Sequence, residues 1–413
     1  MKLSRGLALL ASVSLGLVAC GGSSGGTGGA TKGTIKIGID LPLSGNETSN
    51  GVPTKNGALF AIKQANDAGG VEGYKLDSLV LDDAVNGVHD PQQGAKNVQQ
   101  FVGDTTVLAM VGPFNSNVAR AEMPITSTAN LPQISPSNTG ECLTQVHDYC
   151  KNGEPQSLHP GGKTHYFRVC TTDNIQGPAL ADYATKTLKK TNVYILDDRE
   201  TYGKGLADNF EKQFVKDGGK VAGHEGFDAK STDDFKSFLN KAKAANVDLV
   251  FFGGTDTNKG GIIRNQMKGI IDVPYMGGDG LQTDQYLKDA DGNADGSYAS
   301  VAAVNAEKLP ASAQFLKDFH TAYPAASDFG AYTANAYDAA NIIIGAIRKA
   351  IKDNGGNLPD REKVRVAIAA TNYNGAIGTT KFDTNGDTTN KIISFYQVTG
   401  GKWNFVDQIT FKG

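Results

Sequence analysis

The sequence predicts an α/β fold with doubly wound parallel sheets, divided between two domains. Short apolar runs that read as strands alternate with amphipathic stretches of helical period, as in βαβ units. The alternation halts at an irregular stretch, about 140–164, and then resumes. A chain of 413 residues is long enough for a sizeable core in each half.

The first strand is Thr34–Asp40. A helix follows over about 51–68, with Ala58, Leu59, Ile62 and Ala65 on one face, and Gly69-Gly70 ends it. Strands are expected at Leu76–Leu81, Val107–Gly112 and Leu131–Ser135, with helices at Pro91–Val102 and about 117–129. After the irregular stretch, strands are expected at His165–Val169, Val193–Leu196, Val221–Gly226, Val247–Gly253 and Pro274–Met276. The helices between them cover about 176–190, 203–217, 232–245 and 258–269. A long helix over about 331–352 carries Tyr332, Ala336, Ala339, Ile343, Ala346, Ile347 and Ala350 at helical spacing. Ile392–Val398 and Trp403–Phe411 then form a hairpin across Thr399-Gly400-Gly401-Lys402.

The N-terminus reads as an export signal, residues 1–19. Lys2 and Arg5 precede an apolar run from Leu7 to Val18, too short to span a bilayer, which takes about 20 residues. Leu17-Val18-Ala19-Cys20 looks like a bacterial lipobox, which makes Cys20 the lipidated residue and places the protein outside the cytoplasm on a membrane anchor. The alternative is plain secretion with a free thiol. Residues 20–33 then form a Gly/Ser/Thr-rich tether. Its Gly22-Ser23-Ser24-Gly25-Gly26 matches the hydrolase nucleophile elbow in letters, without the strand and helix that motif needs. In an exported chain Cys142 and Cys150, which enclose a short polar loop, are expected to form a disulfide, and Cys170 is left over as a small buried residue. Their spacing suits no common zinc module, even with His147, His159 and His165 near.

Charge excludes further classes. With 40 basic and 43 acidic residues intermixed, net charge −3, no basic stripe addresses nucleic acid. No HExxH, P-loop or nucleophilic triad spacing is present, so no enzyme, cofactor or metal site is expected. Asp289-x-Asp291-x-Asn293-x-Asp295 starts like a calcium loop but has Ala294 and Ser300 where glycine and an acid are required. Asp383–Asp387 reads as a turn between strands.

In open α/β sheets ligands bind beyond the carboxyl ends of the strands. Polar residues gather there in two sets: Pro113–Asn117 and Pro136–Thr139 in the first half, and Asp197–Gly203, Gly254–Asp256 and Gly277–Gly280 in the second. Each alone reads as a helix cap or turn former. Their shared location favours a binding cleft.

In order and spacing, Leu43-Ser44-Gly45, Gly69–Gly73, Asp82-Asp83 with Asp90-Pro91, Ile134–Ser137, Gln176-Gly177-Pro178, Tyr202-Gly203 and Phe382-Asp383 resemble the type I periplasmic-binding-protein superfamily, in its branched-chain amino acid group. The resemblance runs from about Ile35 to Phe411. It implies two lobes joined by three crossovers, here 34–172 with 304–377 and 173–303 with 378–413. It also implies a monomeric solute-binding protein that closes on an amino acid and delivers it to ABC permease subunits. The carboxylate-binding hydroxyls fall on Ser116, Ser137 and Thr139, the second-lobe tyrosine on Tyr202, and the ammonium acceptor on Asp279. Asn50 and Thr255 stand where the leucine-type proteins have aromatic residues, which makes the pocket more polar. Two rival readings share the pocket: a sensory module that presents its closed state to a receptor, and a binding protein for an amide, urea or short organic acid.

Overall fold

The computed structural model describes residues 32–151 and 153–411. Cys20 and the export segment lie outside the described residues.

The first lobe is built on five parallel strands: β1 (Thr34–Leu41), β2 (Lys75–Asp82), β5 (Val107–Val111), β6 (Gln133–Ser135) and β7 (Tyr166–Arg168). A small hairpin, β3 (Ala84–Val85) with β4 (Val88–His89), follows β2. The sheet order is β2-β1-β5-β6-β7. Ile35, Ile37, Ile39 and Leu41 on one face of β1 are fully buried, and Gly38 and Asp40 on the other are buried as well, as expected of a central parallel strand. The connections run through α1 (Thr48–Asp67), α2 (Pro91–Gly103) and α3 (Ser116–Thr128).

The second lobe repeats the winding. Strands β8 (Asn192–Asp197), β9 (Lys220–Gly226), β10 (Leu249–Gly253), β11 (Tyr275–Gly277) and β12 (Ser297–Val301) lie in the order β9-β8-β10-β11-β12. Their helices are α4 (Asp173–Asp182), α5 (Thr201–Lys216), α6 (Lys236–Ala244), α7 (Gly260–Gln266) and α8 (Asp284–Asp289). The helix expected to run to residue 190 stops at Asp182 and passes into a wider π turn, Tyr183–Thr187. Serine and alanine fill β12, whose apolar run is too broken to stand out in the sequence; its burial comes from β11 on one side and the antiparallel tail on the other.

After β12 the chain returns to the first lobe as α9 (Ala313–Ala322), α10 (Thr333–Asp353) and α11 (Arg361–Ala369). The apolar stripe of α10 packs on α1. There Gly57 is required, because a Cβ would sit 2.1 Å from the Thr333 carbonyl oxygen. A hairpin of β13 (Asn372–Gly375) and β14 (Gly378–Lys381) follows. Its turn is held by the buried Asp338 carboxylate, which accepts from the Ala376 and Ile377 amides at 2.9 Å each. Finally β15 (Ile392–Thr399) and β16 (Lys402–Thr410) close the second sheet.

A lobe boundary between residues 377 and 378 would cut the turn of the β13–β14 hairpin. The chain stays with the first lobe further, because Asp387 bridges to Arg168 at the end of β7. The crossing falls between Thr388 and Ile392 instead. In the irregular segment Cys142 and Cys150 are joined as a disulfide, and Cys170 is buried and free. The acidic stretch ending at Asp295 spends that carboxylate on the amides of Gly400 (3.1 Å) and Gly401 (2.8 Å), fastening the C-terminal hairpin.

Arg168 is fully buried and donates through Nε to Asp387 Oδ1 at 2.6 Å. Its Nη1 donates to the carbonyls of Asn138 (3.0 Å) and Gly140 (2.9 Å), and its Nη2 to Thr144. Arg168→Ala strands a buried carboxylate and two buried carbonyls, so a loss of about 3–5 kcal/mol is expected. Urea unfolding followed by circular dichroism checks this; a loss under about 1 kcal/mol would mean that water replaces the guanidinium.

Candidate functional site

The carboxyl ends of both sheets face a common cleft, and the cleft is shut. Polar contacts cross it, among them Arg120 Nη1 to Thr201 Oγ1 (2.9 Å), Asn209 Nδ2 to Glu141 Oε1 (2.7 Å) and Asn117 Nδ2 to Glu200 Oε2 (3.0 Å).

On the first-lobe wall, β5 leads through Phe114 to Ser116, the first residue of α3. Ser116 is 2% exposed, and its Oγ accepts from the Gly140 amide at 3.2 Å, so its own proton is uncommitted. The α3 N-terminus adds unpaired amides and partial positive charge at the same point. β6 leads to Ser137 and Thr139. Ser137 donates its only proton to the Phe114 carbonyl at 2.9 Å, which fixes the loop and leaves that hydroxyl no proton for a ligand. Thr139 is buried, and its hydroxyl has no partner among the described residues. Of the three hydroxyls expected from sequence, Ser116 and Thr139 therefore keep a proton to give.

On the second-lobe wall, the turn after β11 presents Asp279, 8% exposed. Its Oδ1 accepts from Gln176 Nε2 (2.8 Å) and the Tyr202 hydroxyl (3.1 Å). The same hydroxyl accepts from the Gly280 amide at 3.1 Å, so Tyr202 is oriented from both sides. This fit needs glycine at 278, where a Cβ would meet the Tyr202 oxygen at 2.4 Å. Burial pushes the Asp279 carboxyl up, opposed by the bonds from Gln176 and Tyr202. Thr255 turns its hydroxyl to Thr257 (2.9 Å), and its backbone packs under Gly280 beside the Tyr202 ring. Asn50 lies apart, on the first turn of α1, lining a cavity of about 680 Å³ at the cleft mouth with Phe114, Tyr332, Trp403 and Phe405.

Three residues join this site that the sequence reading did not assign to it. Gln176 was visible only as part of a motif, and Tyr332 only as one member of an apolar helix face. Tyr332, 1% exposed, packs edge-on against Phe114 with ring centroids 5.7 Å apart and lies beside Asp279. It also lines the larger cavity. Asp173, at the start of α4, is fully buried, and neither carboxylate oxygen has a partner among the described residues. Thr139 lies close to it without reaching hydrogen-bond geometry.

A shut cleft between two like-wound lobes, with uncommitted hydroxyls on one wall and a buried carboxylate on the other, defines an interlobe small-molecule binding protein. The chain belongs to the periplasmic binding protein family, whose model matches residues 34–402. It is therefore a binding protein and not an enzyme. It is 30% identical over 374 residues to a Leu/Ile/Val-binding protein of Rhizobium johnstonii, covering 89% of this chain and 92% of that one. A leucine-, isoleucine-, valine-, threonine- and alanine-binding protein of Pseudomonas aeruginosa is 29% identical over 364 residues, covering 88% of this chain and 90% of that one. Among solved structures, a leucine binding protein of Thermotoga maritima superposes with TM-score 0.78 at 25% identity, covering 91% of this chain and 99% of that one. A branched-chain amino acid transporter substrate binding protein of Streptococcus pneumoniae, solved with isoleucine, gives TM-score 0.76 at 25% identity over the same shares.

Burial, reinforced by Glu141 and Asp279, holds the Asp173 carboxyl well above the usual range. Folding therefore takes up a proton once the pH exceeds the free chain's value of about 4, and stability falls as pH rises from there toward the folded-state value. Asp173→Asn removes this dependence. Its melting temperature should exceed the parent's at pH near 8 and converge on it at pH near 4. Thermal unfolding at the two pH values checks this, and parity at the higher one would show that Asp173 is paired.

Proposed function

We propose that this chain captures an amino acid zwitterion between its lobes and delivers it to the permease of an ABC importer. One observation carries the reading: the first-lobe wall keeps two uncommitted hydroxyl protons, on Ser116 and Thr139, and the second-lobe wall presents a buried carboxylate, Asp279. A ligand α-carboxylate suits the hydroxyls and the α3 N-terminus. An ammonium suits Asp279, since a cation taken out of water needs a charged acceptor. Tyr202 and Gln176 aim that carboxylate. Ser137 acts through the loop it fixes. The named specificities of the Rhizobium, Pseudomonas and Streptococcus proteins support an amino acid ligand.

The Tyr332 hydroxyl near Asp279, with Asn50 lining the cavity at the cleft mouth, favours a ligand less apolar than leucine or one whose side chain reaches toward that mouth. The two lobes act as one monomeric clamp. Its tether leads back to Cys20, the lipidated residue in this reading, so that the clamp stays near the permease. Mass analysis of the membrane-extracted protein checks the anchor: the expected product starts at Cys20 and carries acyl chains, and an unmodified Cys20 would overturn it.

Calorimetry against a panel of amino acids, together with the same acids lacking the amine, tests the ligand class. Asp279→Asn keeps the shape of the site and removes its countercharge, at an expected cost of about 2–5 kcal/mol in binding. A ligand without an amine that binds as tightly as any amino acid would overturn the zwitterion reading.

A further inference from the structure

Outside the amino acid pocket, the β3–β4 hairpin delivers His89 to the boundary between the lobes. Its side chain is wholly buried. Nδ1 lies 2.6 Å from Glu47 Oε1, in the same lobe, and Nε2 lies 2.8 Å from Glu200 Oε2, at the start of α5 in the other lobe. An ionised carboxylate only accepts hydrogen bonds. A ring that meets carboxylate oxygens through both nitrogens is therefore an imidazolium. Each carboxylate also accepts a side-chain bond from the opposite lobe: Thr257 donates to Glu47 Oε1 at 2.9 Å and Asn117 to Glu200 Oε2 at 3.0 Å. The other charged groups facing this cluster include Asp83, just past β2, Asp198, just past β8, and Asp256, in the loop after β10, all buried, with Lys230 acting on Glu200.

We propose that Glu47, His89 and Glu200 form a proton-dependent clasp between the lobes, in which His89 is a positioning residue that stabilises the closed form only while both ring nitrogens carry protons. The proposal rests on the reading above, that ligand capture closes the lobes. Opening withdraws Glu200 and admits water, so the ring falls back toward the ordinary histidine range near 6.5. In the closed form burial opposes the charge, but Glu47 and Glu200 outweigh it and hold the ring well above that range. Burial and Glu200 raise the Asp198 carboxyl to about 7. Burial, with Asp40 close by, keeps Asp83 high as well. As these acids ionise, negative charge builds beside the ring and defers the loss of its proton. The sign follows from linkage: the clasp acts in full below the open form's value and is lost as pH rises through the closed form's value. Closure then takes up a proton between the two.

Calorimetry of the full chain with L-leucine as probe, in paired buffers of different ionisation heat from pH 6.5 to about 9.5, reads this directly. Net proton uptake is expected near pH 8, with affinity falling up to about tenfold for each step of one in pH between the open and the closed form's values. His89→Gln should abolish the uptake and flatten the profile to within about twofold. Glu200→Gln, which is only part-buried, serves the same purpose should the histidine variant fail to fold. Binding without uptake, or uptake that survives in both variants, overturns the clasp. If leucine does not bind at any pH, the pocket rejects a wholly apolar side chain, and the clasp is read from small-angle scattering of the ligand-free chain. There the parent should be more compact at acid than at alkaline pH, with both variants indifferent. Equal compactness of the parent at the two extremes overturns the proposal.

Discussion

The guanidinium of Arg168 sits where the first sheet ends, and three parts of the molecule are arranged around it. Through Asn138 and Gly140 it holds the loop that carries Thr139 and lies against Ser116. Through Thr144 it reaches the disulfide-closed segment, and through Asp387 it holds the returning chain before that crosses to the second sheet. A buried ion pair gives little net stability over a well-packed apolar pair, yet removing one member costs several kcal/mol. Its effect here is geometric. The guanidinium has a fixed planar fork, so the directions of the carbonyls it binds are set together. One wall of the binding site and one hinge strand are thereby referred to the same atom group.

The second wall depends on a different device. Asp279 is a carboxylate kept in a nearly dry place by donors from its own lobe, Gln176 and Tyr202, and Tyr202 is in turn fixed by the Gly280 amide. The two walls are thus separately preorganised, and the contacts that cross the cleft lie mostly outside them. This separation allows the lobes to move as rigid bodies without loosening the groups that would touch a ligand.

Much of the fold was legible because strands buried on both faces are written as unbroken apolar runs. Val107 to Val111 and Leu249 to Phe252 are plain examples. β12 was not legible, since Ser297, Ala299 and Ser300 are buried by neighbours distant in sequence and not by their own character. The lobe boundary near 377 was misplaced for a related reason: nothing local shows that Asp387 belongs with Arg168, more than two hundred residues earlier. In the site, Tyr202 and Asp279 stood out because they follow strands. Tyr332 and Asp173 did not, because a tyrosine on an apolar helix face and an acid at a helix start both have ordinary local explanations. Ser137 was read as a donor, and only its bond to the Phe114 carbonyl shows where its proton goes.

The interleaving of the two lobes has a consequence for the order in which the molecule can assemble. The first lobe's sheet is finished at Arg168, but α10, which covers it beside α1, lies at residues 333–353, and the partner of Arg168 is at 387. The second lobe's sheet gains its last two strands only from residues 392–410. Neither core can close until nearly the whole chain is present. Contacts of such long sequence separation form slowly, because their loop closures precede any reward. A chain written in this way cannot complete either core while it is still being made, and its topology alone delays commitment until almost all of it is present.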